Sequence, residues 1–177
     1  MGKHKIKEES VSPAKKKSKM EEEPSPLDTS QADLDASQVS EMTYSQKLQY
    51  SSAIASPMAG KKLTKKLLKL VKKAYSNKNH LRSGLREVQS RIRKGERGLV
   101  LLAADVTPLD VMCHMPAVCE ENKIPYCYVP LRRDISDAMA VKRPTLMALV
   151  LEKGDSFSSY QDLYNECLEG VRALSQE

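Results

Sequence analysis

The sequence predicts an α/β fold, a three-layer αβα sandwich preceded by a disordered N-terminal tail. Three observations carry this. Residues 1–58 are rich in Lys, Glu, Ser, Pro and Asp and show no sustained apolar period, so they cannot bury enough surface to offset the entropy of ordering. From residue 59 to residue 177, apolar side chains either recur at helical spacing or gather in short continuous runs. Those two patterns alternate along the chain, as they do where helices cover both faces of a central sheet. The 177 residues suffice for one domain of this kind and its tail.

Leu63, Leu67, Leu70, Val71 and Ala74 recur at helical spacing with lysines on the other face, which predicts a basic amphipathic helix from about Lys61. A short extended piece, His80-Leu81-Arg82, leads to Ser83-Gly84 and a second helix with the stripe Leu85, Val88 and Ile92. Gly95-Glu96-Arg97-Gly98 ends it in turn residues. Leu99 to Ala104 is an unbroken apolar run, the mark of a strand buried on both faces. After it, Thr107 as N-cap, Pro108 at the first helical position and Asp110 in the first turn predict a helix, with Pro116 breaking or kinking it. Tyr126 to Val129, fenced by Pro125 and Pro130, reads as a short strand, followed by a brief helix over 134–140 and a strand over 145–151. Phe157, Tyr160, Tyr164, Cys167, Leu168 and Val171 mark a closing amphipathic helix. In the tail, residues 40–58 carry Tyr44, Leu48, Tyr50 and Met58, enough to dock loosely on the domain.

Charge is concentrated. Residues 61–97 hold 14 Lys/Arg against 2 Asp/Glu, whereas 1–60 hold 8 against 9 and 98–177 hold 7 against 12. A single stretch almost empty of acid is the electrostatic footprint of a polyanion partner. The alternative is a merely solvated helix face, which accounts for scattered lysines but not for the missing acids.

Several classes are excluded. No apolar run approaches the roughly 18–20 residues of a membrane span, and the basic start MGKHKIKEES lacks the apolar core of an export signal. Cys113, Cys119, Cys127 and Cys167 have no pair at the tight spacing of zinc ligands, so they are expected as reduced thiols, mostly buried. Glycine-rich phosphate loops, nucleophile elbows and metalloprotease motifs are absent. Cys113 and His114 are adjacent and point about 100° apart on a helix, so a packed cysteine beside a partly exposed histidine is expected rather than a nucleophile and base. Asp105, at the end of a buried strand, reads as a loop or capping residue. With no Trp, one Phe and seven Tyr, base stacking on a sheet is not expected. If the polyanion is RNA, it would instead meet a helix end and basic side chains. At Gly84 the backbone can approach closely and the helix offers free N–H groups to phosphate. Arg86 and Glu87 point away from the Leu85/Val88 stripe; for Glu87, simple compensation of the helix dipole is an equal alternative.

The same residues carry a resemblance. Ser83-Gly84-Leu85-Arg86-Glu87-Val88-Gln89-Ser90, Ala103-Ala104-Asp105-Val106-Thr107-Pro108, His114-Met115-Pro116 with Cys119-Glu120, Ile124 to Pro130, and Lys142-Arg143-Pro144-Thr145 occur in that order. Together they resemble the kink-turn-binding family of ribosomal and small nucleolar RNA proteins, over roughly residues 61–174. Within it, Cys113-His114-Met115-Pro116 and the Tyr164 to Glu169 segment are most similar to the branch found in H/ACA ribonucleoproteins. The resemblance implies an αβα sandwich around a small mixed sheet and a non-catalytic RNA-binding subunit. It also implies H/ACA guide RNA, a pseudouridine synthase and that enzyme's small partner subunit as partners, a nuclear and nucleolar address to which the Lys15-Lys16-Lys17 cluster is suited, and no metal, cofactor or small-molecule substrate.

The family reads RNA with Gly-x-Asn-Glu-x-x-Lys at the start of the second helix and with a loop before the last strand. Gly84 and Glu87 match; Arg86 stands at the Asn position and Ser90 at the Lys position. In the loop, Ser136 and Ala140 replace two glycines, and Asp137 brings an acid. The residues so implied as RNA-binding are Arg82, Gly84, Leu85, Arg86, Glu87, Ser90 and Arg91 on the first segment, and Ile135, Val141, Lys142 and Arg143 on the second. Exchanging Asn for Arg gives up an amide suited to a sheared G·A pair and adds sequence-blind phosphate attraction. Salt-sensitive, weakly selective binding is therefore expected. The rivals are another branch of the same family, a small α/β enzyme using Asp105, Cys113 or His114, and a scaffold whose basic surface is only solvated.

Overall fold

The computed structural model describes residues 42–77, 79–152 and 159–175. Four strands form the sheet: β1 (Leu81–Ser83), β2 (Gly98–Ala103), β3 (Tyr126–Val129) and β4 (Met147–Leu151), in the order β1-β4-β2-β3. β4 runs antiparallel to both β1 and β2, while β2 and β3 are parallel. The sheet is therefore mixed, as expected. Every residue of β2 is buried, in keeping with a central strand covered on both faces.

The helices are α1 (Tyr44–Leu48), α2 (Lys61–Ser76), α3 (Leu85–Arg93), α4 (Met115–Glu121), α5 (Arg132–Ala138) and α6 (Gln161–Leu174). α2 packs against α5 and α6, with Leu63 of α2 so close to Gly170 of α6 that a Cβ there would lie 2.9 Å from its methyl. α2 and α3 both rest on β1 and β4. Alternation along β1 separates them: Arg82 reaches Glu87 of α3, so Leu81 points to the other face. α3 touches α4 through Gln89, whose amide donates to the Met115 sulfur at 3.6 Å. The result is helices α2, α5 and α6 on one face and α3 and α4 on the other, an αβα sandwich.

Two expectations change. The boundary at residue 58 moves upstream, because residues 42–58 run along the domain; the part of the expected tail before residue 42 lies outside the described residues. Met58 pairs with Tyr128 of β3 in parallel fashion. The Tyr128 N–H donates to the Pro57 carbonyl and the Ala59 N–H to the Tyr128 carbonyl, both at 2.9 Å. This strip satisfies the backbone of an edge strand that would otherwise be open to other chains. α1 is tied down by a 2.6 Å ion pair from Lys47 to Asp134 and by the Tyr44 hydroxyl, which donates to the Ala59 carbonyl at 2.6 Å. The docking expected of residues 40–58 is thus seen for 42–58, with polar side chains and backbone supplying bonds that composition does not reveal.

The helix expected to open at Thr107 also differs. Pro108 is extended (φ −73°, ψ 153°) and only a short 3-10 turn, Leu109–Val111, follows. The α-helix begins instead at Met115, with Pro116 in its first turn. A first-turn residue needs no N–H donor, so Pro116 starts the helix it was expected to interrupt. Asp105 is a cap, but for a distant helix: its carboxylate accepts the Arg132 N–H at 2.7 Å where α5 begins. Burial raises its pKa above the usual carboxylate range, against the lowering effect of that bond.

Candidate nucleic-acid interface

The strand register brings two distant segments to one rim of the sheet. Ser83 at the end of β1 pairs with Ala148 near the start of β4, and the Gly84 N–H donates to the Met147 carbonyl at 3.0 Å. The start of α3 and the loop leading into β4 therefore lie side by side. Gly84 is the N-cap of α3 at φ +88° and ψ 149°, a conformation nearly reserved for glycine. Its carbonyl accepts the Val88 N–H, which leaves the preceding first-turn N–H groups without carbonyl partners inside the helix. They carry the positive end of the helix dipole and suit an anion.

Around this helix start, Leu85 is half-buried against the core while Arg86, Glu87 and Ser90 are exposed. In the loop, Ala140 adopts φ +55°, and the Val141 N–H turns back to the Ser136 carbonyl at 3.0 Å. Ser136 is fully buried, and its hydroxyl donates to the Arg133 carbonyl at 2.9 Å. The site thus demands a small residue, which serine supplies in place of glycine. Lys142, Arg143 and Pro144 stand exposed beyond the turn, and Val141 is half-buried. Arg133 braces the loop, donating to the Lys142 carbonyl at 3.5 Å and lying 3.3 Å from Asp137; nothing in the motif pointed to it.

Three expected contact residues are used otherwise. Ile135 is fully buried, so its side chain belongs to the core and not to a contact surface; that expectation is corrected. Arg82 lies 3.5 Å from the Glu96 carboxylate and Arg91 donates to it at 3.0 Å. Glu96 therefore neutralises two of the arginines in the basic segment. It is one of only two acids there, and that scarcity was the signal that could have revealed it. Among the described residues Arg86, Lys142 and Arg143 form no ion pair, so they are the rim's available cations.

A sequence profile of the ribosomal protein L7Ae/L30e/S12e/Gadd45 family matches residues 65–159. The chain is 54% identical over 135 residues to "H/ACA ribonucleoprotein complex subunit 2" of Drosophila melanogaster, covering 76% of this chain and 82% of that protein. It is 49% identical over 132 residues to "H/ACA ribonucleoprotein complex subunit 2-like protein" of Xenopus tropicalis, covering 75% and 85%. The fold matches the solved structure of the "Giardia lamblia 15.5kD RNA binding protein" with a TM-score of 0.63 and 29% identity, over 70% of this chain and 98% of that one. The chain belongs to the L7Ae/L30e/S12e/Gadd45 family.

The L7Ae-family frame leaves little for the enzyme alternative to use. Asp105 caps α5. Cys113 is exposed, not packed as expected, and its thiol faces the Asp110 carbonyl at 3.5 Å. His114 contacts Gln89. Burial pushes the Cys119 and Cys127 thiols up to about 12, so both are neutral near pH 7 and poor nucleophiles. No cluster of three or more His, Cys, Asp or Glu side chains suited to a metal ion occurs among the described residues.

Proposed function

We propose that this chain is a non-catalytic RNA-binding subunit of an H/ACA-type small nucleolar ribonucleoprotein, supporting guide-directed pseudouridylation and ribosomal RNA processing. The observation that carries the RNA reading is the rim itself. A glycine-started helix offers its N–H groups beside Arg86, and the adjoining loop presents Lys142 and Arg143. The H/ACA assignment draws on the names of relatives that match over three quarters of the chain. On this reading the chain sits on H/ACA guide RNA with a pseudouridine synthase and its small partner subunit, in the nucleus and nucleolus. The same protein set would serve telomerase RNA where that RNA carries an H/ACA domain.

Arg86 favours this branch over ribosomal and box C/D relatives, which use an Asn amide at that position. Phosphate attraction then supplies affinity while protein partners supply position. The test compares binding of the purified chain to a kink-turn RNA and to one lacking the sheared pairs, across a salt series. Discrimination well below 100-fold, about 2.8 kcal/mol, with steep salt dependence, is expected. Discrimination of 100-fold or more would overturn the weak-selectivity reading. Failure to co-purify a pseudouridine synthase and hairpin-hinge-hairpin guides from cell extract would overturn the H/ACA assignment.

A further inference from the structure

We propose that the outer face of α2 is a second RNA-contact surface, taking a strand other than the one held at the rim. The inference rests on reading this chain as an RNA binder, because that reading decides which polyanion is offered.

α2 buries Thr64, Leu67, Leu70, Val71 and Ala74 on one stripe. At 3.6 residues per turn, Lys62, Lys65, Lys69, Lys72 and Lys73 stand on the opposite arc, and all five are exposed. Lys66, at the border of that arc, is claimed by Glu166 of α6 at 2.5 Å. None of the five meets a carboxylate among the described residues. α2 contains seven lysines and no acid, so lysines three and four positions apart repel one another along its length. A helix selected only for solvation would carry both signs. This face instead pays for its uniform charge unless a polyanion relieves it.

The surface suits nucleic acid better than its alternatives. Lys62 to Lys73 spans about 16 Å at the helical rise of about 1.5 Å per residue, the reach of several phosphates. Tyr75, 48% exposed, is three residues from Lys72 and offers a ring on which a base can stack beside the charges. A membrane-surface helix would need apolar side chains to insert, but the apolar stripe of α2 is buried in the domain. The lysines point away from the sheet, and α3 lies across it. An RNA segment resting on the rim at α3 therefore leaves this face free for a second segment.

The experiment uses the full chain in three forms. These are the wild type, the α2 variant Lys65→Gln with Lys69→Gln, Lys72→Gln and Lys73→Gln, and the rim variant Arg86→Gln with Lys142→Gln and Arg143→Gln. Glutamine keeps helix propensity, and thermal melts confirm folding. Affinities are measured over a salt series for a single kink-turn hairpin and for two hairpins joined by a single-stranded hinge. The α2 variant is expected to lose on the order of tenfold in affinity for the two-hairpin RNA, and about 3 in the slope of log affinity against log salt. Its binding of the single hairpin should stay within about twofold. The rim variant should weaken both. Wild-type binding of both RNAs by the α2 variant at every salt would overturn the inference while leaving the rim reading intact. Equal loss on both RNAs would also overturn it, as a general charge effect. A rim variant indistinguishable from wild type would instead count against the rim. If the α2 variant changes only binding to phosphatidylserine vesicles or to a Glu-rich peptide, the occupant is not RNA and the inference is wrong.

Discussion

α2 and α3 arise from one basic stretch of sequence, yet their charges end in different states. The outward lysines of α2 face solvent and meet no carboxylate among the described residues. On the α3 side, Arg82 and Arg91 converge on Glu96, and Arg82 keeps only 15% of its side chain exposed. One helix is electrostatically open. Two of the six basic residues from Arg82 to Arg97 are spent on holding the turn between α3 and β2. Net charge counted along a sequence therefore overstates the field presented to a partner wherever a single acid sits between arginines.

The largest expected effect comes from removing the geometry that starts α3. Gly84→Ala forces a non-glycine residue to φ +88° and ψ 149°, at a cost of about 1–3 kcal/mol. Urea denaturation should show the loss, and hairpin binding at the rim should fall with it. Next comes the clamp. Glu96→Gln withdraws the anion from Arg82, with Glu87 4.0 Å away as a weak reserve. The expected cost is about 1–2 kcal/mol, discounted for residual exposure. Because Arg91 is released at the same time, RNA affinity should rise as stability drops; a parallel fall in both would show that the clamp does not sequester charge. Arg86→Asn restores the amide. Discrimination between kink-turn RNA and its sheared-pair-deficient form should grow by about tenfold or less, about 1.4 kcal/mol, with overall affinity reduced at low salt.

Smaller effects test the half-buried acid that caps α5 and a surface ion pair. The Asp105 carboxyl has a folded-state pKa above its unfolded value, chiefly through burial. The folded state therefore binds the proton more tightly, and the contribution of this group falls as pH rises from about 3.9 through its raised folded pKa. Asp105→Asn should remove that part of the slope in urea midpoints measured between about pH 3.5 and 6. Lys66→Ala breaks the solvent-accessible pair with Glu166 and should leave the midpoint unchanged within error. A clear drop would mean that the α2–α6 contact depends on charge and not on the Leu63–Gly170 packing.

Much of this molecule is legible from its residues. Four of the five buried positions of α2 (Leu67, Leu70, Val71 and Ala74), the all-buried β2 run and the α6 stripe follow from apolar spacing, because burial of one face is what selects such periods; Thr64 is buried where the spacing pointed to Leu63. Ser83-Gly84 before the Leu85, Val88 and Ile92 stripe marked the start of α3, while the positive φ of Gly84 is known only from the structure. Other features resisted reading. The docking of residues 42–58 was foreshadowed by Tyr44 and Met58, but the long-range Lys47–Asp134 ion pair and the strand-like bonds that hold it leave no apolar period. Two prolines eight residues apart allowed a helix at 107 or at 115, and only the packed chain chose.

What the sequence by itself determined was most of the elements, the rim motif and the concentration of positive charge, all of which depend on local spacing and residue type. Only the tertiary structure decided which charges remain available. Arg82 and Arg91 are silenced by an acid beyond the helix end, Ile135 is withdrawn into the core, and α2 turns its lysines outward on the far side of the sheet. Ion pairing and burial depend on what folding places within a few ångströms, and spacing along the chain does not record those distances.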